Sequence, residues 1–366
     1  MTERFDVVVI GGGQAALAVG YYLRRTGLRY TLVDDQPAPG GAWQRSWPSL
    51  RLFSPPQWSS LPGQHMPRHS GQEPDVYPTR DDVIAYLAEY ERRYAIPVIR
   101  PVRVIDVQRD AGGFRLSTSA GPISARAIVS ATGTWASPVV PSIRGADLYS
   151  GTSVHSAHYS GPAPFIGRRV VVVGGGNSGA QIVAELSSVA QVIWATRKPP
   201  TFLPDEVDGR SLFEQATARY RALQEGRTPD SPRGLGDIVM VASVKEARSK
   251  GALEATPMFT RFTANGVVWP NALEEPVHAV IFATGFRPAL SHLASLGIVG
   301  ENGRALIRPE GSGTRAEGEP PLWLVGYGEW TGFASATLIG VGRTARATVA
   351  EIVGELSAPA MISRIV

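Results

Sequence analysis

The sequence has no cysteine among its 366 residues. A dithiol redox centre, a disulfide framework and a thiolate-bound metal are therefore excluded, since each needs sulfur ligands or thiolates. Lysine is scarce as well, with only Lys198, Lys245 and Lys250. The formal net charge of +4 rests on scattered arginines, without a basic tail or an arginine-rich helix, so nucleic acid is not an expected partner. No apolar run approaches the roughly 20 residues of a membrane span. The N-terminus enters an apolar strand directly, without the basic region and cleavage site of a secretory leader, and the expected location is the cytoplasm. The six histidines (65, 69, 155, 158, 278 and 292) form no helical H-x-x-x-H pair backed by a carboxylate, and no metal site is expected.

What is present is glycine in two ordered settings. Asp6–Ala16 reads DVVVIGGGQAA. The β-branched run Val7–Ile10 predicts a strand buried on both faces of a parallel sheet. Gly11-x-Gly13-x-x-Ala16 follows, and Leu17, Val19, Tyr22 and Leu23 recur at helical spacing towards a stop at Gly27. Gly11 permits the tight turn, Gly13 lets backbone approach a pyrophosphate, and Ala16 lets helix pack close on strand. A second strand, Tyr30–Val33, leads into Asp34, which lies 34 − 13 = 21 residues past Gly13. A carboxylate at that distance takes ribose hydroxyls, which makes the whole unit a dinucleotide site.

The pattern returns at Arg169–Gln181, RVVVVGGGNSGAQ, with Gly174-x-Gly176-x-x-Gly179 opening a helix. The offset, 174 − 11 = 163 residues, is far too long for a solenoid repeat. It predicts two nucleotide-binding units in one chain. The second unit's second strand, Gln191–Ala195, leads into Thr196-Arg197-Lys198 rather than an acid. Two cations there suit a 2′-phosphate that a carboxylate would repel, favouring NADPH over NADH. A second echo accompanies the first. Ala127–Gly133 (AIVSATG) and Ala279–Gly285 (AVIFATG) are apolar strands that end in Ala131-Thr132-Gly133 and Ala283-Thr284-Gly285. Small residues at a strand end let backbone lie close to a ligand or a crossing chain.

Between these landmarks, Leu50–Gly63 mixes Pro, Ser and aromatics and reads as an ordered loop. Thr79–Tyr94 reads as an amphipathic helix with Asp81 and Asp82 at its start. Val98–Val107 and Phe114–Ser119 read as antiparallel strands. Asp205–Lys250 reads as partly helical with a flexible break near Gly226–Gly236, and Ser335–Arg346 as a helix.

With both glycine motifs, Trp43 and the Ala-Thr-Gly strands together, the chain resembles the flavin-containing monooxygenases. It is most similar to their short bacterial branch related to Baeyer–Villiger monooxygenases. Tyr149-x-Gly151-x-x-x-His155-x-x-x-Tyr159 matches the F-x-G-x-x-x-H-x-x-x-[FY] fingerprint at all but the conservative first position. The resemblance implies an α/β fold with two Rossmann-like dinucleotide-binding domains. An FAD domain of residues 1–165 and 280–366 would carry an inserted NADPH domain of residues 166–279. FAD would be held by Gly11, Gly13, Ala16 and Asp34, with Gly40, Gly41, Trp43 and Arg51 near the flavin and Val104 by the adenine. NADPH, with NADH left open as a second donor, would be held by Gly174, Gly176, Asn177, Ser178, Gly179, Arg197 and Lys198. Glu329 stands where an Asp usually meets the ribityl chain.

The implied activity is oxygenation of small sulfides or ketones by flavin-activated O2. Arg51 would orient the nicotinamide or stabilise developing negative charge, and Phe53 would wall the substrate space. His155 reads as a structural residue holding the linker between units. Many members place an Asn in the loop corresponding to Arg51–Pro55, whereas this chain has Phe53-Ser54 and no amide. A flavin reductase or NADPH oxidase that makes peroxide without transferring oxygen stays open as the alternative. The expected partners are a small-molecule substrate and O2, and the expected state is a monomer or homodimer.

Overall fold

The structure, a computed structural model, describes residues 3–68, 77–205 and 237–357, with residues 207, 214, 218, 225 and 227 between. The chain opens with β1 (Glu3–Ile10), α1 (Gln14–Leu23) and β2 (Tyr30–Val33). There follow α2 (Arg80–Arg93), β3 (Val98–Ile99), β4 (Val104–Asp110), β5 (Gly113–Thr118) and β6 (Ile123–Ser130). The next group is β7 (Thr152–His155), β8 (Arg169–Val173), α3 (Asn177–Leu186) and β9 (Gln191–Thr196). After it come α4 (Ala242–Ser249) and β10 (Ala255–Pro257). Then come β11 (Arg261–Phe262), β12 (Gly266–Val268), β13 (Glu274–Pro276) and β14 (Ala279–Phe282). The described chain closes with β15 (Leu322–Leu324) and α5 (Val341–Ser357).

Two sheets carry the architecture. The first runs β3-β2-β1-β6-β5-β4, with β15 beside the C-terminal half of β6. The second runs β10-β9-β8-β14-β7 and is parallel throughout. The β11–β13 meander forms a small third sheet. The β-branched runs explain the two main sheets. Val7 and Val9 join the apolar cluster under α1 and α5, while Val8 and Ile10 join the cluster on the opposite face. In β8, Val170 and Val172 face one core while Val171 and Val173 face another. A strand covered on both faces has no position for a polar side chain, and each such valine contributes about 1.5–3 kcal/mol by leaving water.

The loop 50–63 is ordered by α2. Thr79 caps that helix, its hydroxyl accepting from Asp82 N while the Asp82 carboxylate accepts from Thr79 N. The inner face then aims tyrosine hydroxyls at loop carbonyls: Tyr86 to Gln64, Tyr90 to Pro62 and Tyr94 to Gly63, each at 2.7 Å. Three consecutive carbonyls at the end of the loop, 62–64, are thus satisfied by one helix face.

Two expectations need correction. Residues 98–107 are not one antiparallel strand, because β3 pairs in parallel with β2 and a new strand begins only at Val104. Pro101 has no N–H to give a ladder, and Val102 N turns instead to the Asp34 carbonyl at 2.8 Å. The C-terminal helix begins at Val341 rather than Ser335. Thr337 makes a turn there, donating to Ala334 O at 2.7 Å and accepting from Gly340 N at 3.0 Å. Residues 205–250 carry helix α4, in line with their partly helical reading, and the expected break near 226–236 falls, apart from Arg227, outside the described residues. The second sheet also takes in β7 and β14, so its strands begin before residue 166 and continue past residue 279. Among the described residues no helix is long and apolar enough to cross a membrane.

Candidate functional site

The two glycine turns are built alike. Gly11 has φ +118°, and a Cβ placed on it would lie 2.6 Å from the Ala131 carbonyl oxygen. Gly174 has φ +132°, and its Cβ would lie 2.2 Å from the Ala283 carbonyl oxygen. The hydrogen bonds around them correspond as well. Gly11 N donates to Val33 O at 2.8 Å and Ala131 N to Ile10 O at 2.8 Å. Gly174 N donates to Ala195 O at 3.0 Å and Ala283 N to Val173 O at 2.7 Å. In each unit the Ala-Thr-Gly segment crosses directly over the glycine turn, and only a residue without a side chain leaves it room.

The first turn opens into a cavity of about 600 Å³. It is lined by the turn itself (Gly11–Ala15), by Val33–Gln36, by Gly41, Trp43 and Leu50, and by Val104. Thr132–Ala136, Ser291, His292, Gly326 and Ala336 complete the wall. Of the residues singled out from sequence, Gly11, Gly13, Asp34, Gly41, Trp43, Val104, Ala131, Thr132 and Gly133 are brought together here. Ala16 is wholly buried one turn into α1, where its small size lets the helix approach the sheet. Gly41 has φ +54°, and a Cβ on it would come 2.6 Å from Gly13 Cα, so the two glycines narrow the cavity beside the α1 N-terminus. Gln14 fixes this mouth: its Nε2 donates to Ala336 O at 2.6 Å and its Oε1 accepts from the Trp43 indole at 3.0 Å.

Arg51 and Glu329, expected near the flavin, and Phe53, expected in the substrate wall, do not line this cavity. Arg51 is exposed and outside the cavity wall. Its backbone bridges to Thr79 and its Nη1 donates to Tyr77 O at 3.1 Å. Phe53 packs, half-buried, on the second unit's core, as Leu50 does. Glu329 is exposed at the head of a short turn, Glu329–Thr331, and the cavity is lined by Gly326 and Ala336 instead. The Glu329 side chain faces solvent there.

From Thr132 and His292 in the cavity wall runs a buried polar chain of which the sequence reading singled out only Thr132. His292 Nε2 meets Ser130 Oγ at 3.0 Å, Ser130 Oγ meets Tyr327 Oη at 2.6 Å, and Tyr327 Oη meets Thr132 Oγ1 at 2.7 Å. The Thr132 hydroxyl donates to Ala289 O at 2.8 Å. Burial raises the Tyr327 phenol and lowers the His292 imidazole to about 4, so both are neutral near pH 7. Gln14 was legible, as the one polar side chain in the first turn of an otherwise apolar helix. The other partners are joined across more than 150 residues, and no local spacing reveals them.

In the second unit, Gly176 caps α3 with no atom within 4 Å of a Cβ built on it, and Gly179 packs on Gly174, whose carbonyl would lie 2.1 Å from such a Cβ. Arg197, Lys198 and Ser178 are exposed. Asn177 is engaged at both ends of its amide, by Asp237 O at 3.0 Å and Val239 N at 2.9 Å, and so ties residues 237–239 to the start of α3. Thr284 donates to Val139 O, and Gly285 has φ +81°.

The fingerprint residues join the units. His155 Nε2 lies 3.1 Å from Gly285 O, while its Nδ1 accepts from Ala157 N at 3.0 Å. Tyr159 donates to Glu185 at 2.8 Å, and the same carboxylate accepts from Ser49 in the first unit's loop at 2.6 Å. No group of His, Asp and Glu able to hold a metal occurs among the described residues.

Comparison with known proteins follows the same lines. A family model for pyridine nucleotide-disulphide oxidoreductases matches residues 8–326. The oxidoreductase CzcO of Bacillus subtilis is 30% identical over 355 residues, 96% of this chain and 100% of that protein. The indole-3-pyruvate monooxygenase YUCCA8 of Oryza sativa subsp. japonica is 28% identical over 393 residues, covering 95% of this chain and 90% of that protein. Among solved structures, a flavin-containing monooxygenase from Stenotrophomonas maltophilia is 48% identical with a TM-score of 0.88, covering 97% of this chain and 100% of that one. With a cysteine-free sequence and two glycine cradles of one construction, the chain belongs to the pyridine nucleotide-disulphide oxidoreductase family and, within it, to the flavin-containing monooxygenases.

Proposed function

We propose that the enzyme binds FAD in the first cradle and NADPH in the second, and uses O2 to oxygenate small sulfides or ketones. The observation that carries this reading is the pair of matched turns, Gly11 under Ala131 and Gly174 under Ala283, in a chain without a cysteine to accept electrons. The residues of the first cradle fit the group. Gly13 and the free N–H groups of the α1 N-terminus meet a pyrophosphate, and Asp34 at the end of β2 accepts from ribose hydroxyls. Val104 flanks the adenine side, and Trp43 with Leu50 supplies apolar wall.

When bound, the two cofactors supply a hydride and a reduced flavin able to activate O2. The chain's own part is positioning and exclusion of water. Arg197 and Lys198 hold the 2′-phosphate by charge, and the Gly176 backbone comes close to the pyrophosphate because nothing else occupies that space. Glu185, bonded to both Ser49 and Tyr159, sets the second unit against the loop that borders the cavity. For a sulfide the balance is one sulfide, one O2, one NADPH and one proton giving sulfoxide, water and NADP+.

Peroxide release is the second reading, and one observation favours it. In the Arg51–Pro55 loop the Ser54 hydroxyl is buried against Ser59 Oγ at 2.7 Å, so the loop presents no amide towards the cavity. NADPH consumption, O2 uptake, peroxide and oxygenated product measured together separate the readings. One product per NADPH with a sulfide or a ketone supports oxygen transfer. Stoichiometric peroxide with every substrate overturns it.

A further inference from the structure

Asp34 does not stand alone at the end of β2. Its Oδ2 accepts from Arg100, with Nε at 3.3 Å and Nη2 at 3.2 Å. Arg100 in turn grips Glu91 of α2 through both branches of its guanidinium, Nη1 to Oε1 at 2.6 Å and Nη2 to Oε2 at 2.9 Å. The triad is inside the protein: side-chain exposure is 5% for Asp34, 12% for Arg100 and 16% for Glu91. The carboxylate is fixed further by Gln36 N at 3.3 Å from Oδ1 and by Gly12, where a Cβ would strike Oδ2 at 2.2 Å. Asp34 nevertheless lines the cavity, and a carboxylate has about four acceptor positions, so Oδ1 keeps capacity for a hydroxyl.

From this arrangement we infer that Arg100 is a positioning residue for cofactor binding: it holds Asp34 ionised and oriented towards the ribose of FAD, and Glu91 holds Arg100 in place. The inference rests on FAD occupying the first cradle. Burial pushes the Asp34 carboxyl up, against the Gln36 hydrogen bond and the Arg100 charge that pull it down. The other charged groups nearby lie on the solvent side of Asp35, which pairs with Arg45 at 3.9 Å and Arg103 at 3.6 Å. Both cations are directed to Asp35 and not to Asp34. Asp35, next in the chain, adds a like charge that pushes Asp34 up, and Arg100 is the charge that opposes it. Without it, burial and the Asp35 charge act on the carboxylate uncompensated, and it takes up a proton nearer neutrality. A ribose hydroxyl that donates to the carboxylate then has to displace that proton.

The test is calorimetric titration of the flavin-stripped protein with FAD between pH 6 and pH 9, in buffers of different ionisation enthalpy. Arg100→Met is paired with the double variant R100M/E91Q, which removes the charge left behind on Glu91 and guards against loss of fold. In the unsubstituted protein the FAD dissociation constant is flat across the range and no proton is released from Asp34. In the double variant it is weaker by about tenfold at pH 6 and recovers as pH rises, with up to one proton released per FAD. Arg100→Lys, which keeps a charge without the fork, restores the flat profile. A double variant with a flat profile, whether its affinity is unchanged or uniformly reduced, overturns the inference. Failure of the unsubstituted protein to bind FAD at any pH overturns the flavin assignment itself instead.

Discussion

The imidazole of His155 and the carbonyl of Gly285 lie 3.1 Å apart, joining the first strand of the second sheet to the Ala-Thr-Gly crossing that follows the last. Because Nδ1 accepts from Ala157 N at 3.0 Å, Nε2 carries the proton and the ring is neutral. The Phe286 ring packs against it edge-on at 4.9 Å and itself stacks on Trp135, which borders the cavity. A histidine with both nitrogens engaged by backbone has no proton to exchange with a substrate.

His155→Ala therefore lowers stability by about 2 kcal/mol through two lost hydrogen bonds and a cavity. The shape of the pH profile of kcat/KM is unchanged, however far the rate falls. Thermal unfolding and a pH–rate series check the two halves; loss of one limb of the profile would show His155 to be an acid or base.

The glycines of the second turn separate fold from function. Gly174→Ala places a Cβ 2.2 Å from a carbonyl oxygen at φ +132°, which costs at least about 2 kcal/mol and disrupts the second unit. Gly176→Ala meets no atom within 4 Å. It leaves the unfolding temperature unchanged and raises the NADPH KM about tenfold or more, since the added methyl lies where the pyrophosphate approaches. Unfolding curves alongside NADPH kinetics distinguish the two variants.

Neutralising Arg197 and Lys198 together raises the NADPH KM and leaves NADH use largely intact, because both side chains are exposed and only the 2′-phosphate needs them. Steady-state kinetics with each nucleotide checks this. Equal losses with both would remove the phosphate assignment.

Acid lability follows from the buried histidines. His292 is held at about 4 by desolvation, below its ordinary 6.5, and burial lowers His155 in the same direction. A base with a depressed folded value contributes full stability above its unfolded value and loses it as pH falls. Stability is thus complete above about pH 6.5 and drops by about 3 kcal/mol from His292 as pH falls towards 4. His292→Gln flattens this limb. Denaturant unfolding at successive pH values measures it, and an unchanged acid limb would contradict the assignment.

The parts readable in the sequence are those set by short-range rules. Val7–Ile10 and Val170–Val173 are β-branched because both faces are covered, and Gly11 and Gly174 are required because a carbonyl crosses each within 2.6 Å and 2.2 Å of a Cβ. Asp34 was placed by its distance from Gly13. Arg100 and Glu91 were not legible, because Arg100 reaches Asp34 only where β3 pairs with β2, and Glu91 acts through Arg100, neither by any local spacing. Arg51 and Glu329 were placed by resemblance alone, and local backbone turns them away: an isolated bridge to Thr79 in one case and a short helical turn in the other. The strand assignment for residues 98–107 failed because apolar alternation does not register the missing N–H of Pro101.

The central claim is that one cradle holds a flavin and the other a nicotinamide nucleotide close enough for hydride to pass. Anaerobic mixing of the FAD-loaded protein with NADPH, followed by absorbance, tests it most directly. The account predicts that the visible flavin bands bleach with one equivalent of NADPH and return when O2 is admitted. A protein that stays colourless with excess FAD, or whose bound flavin NADPH leaves oxidised, would contradict it.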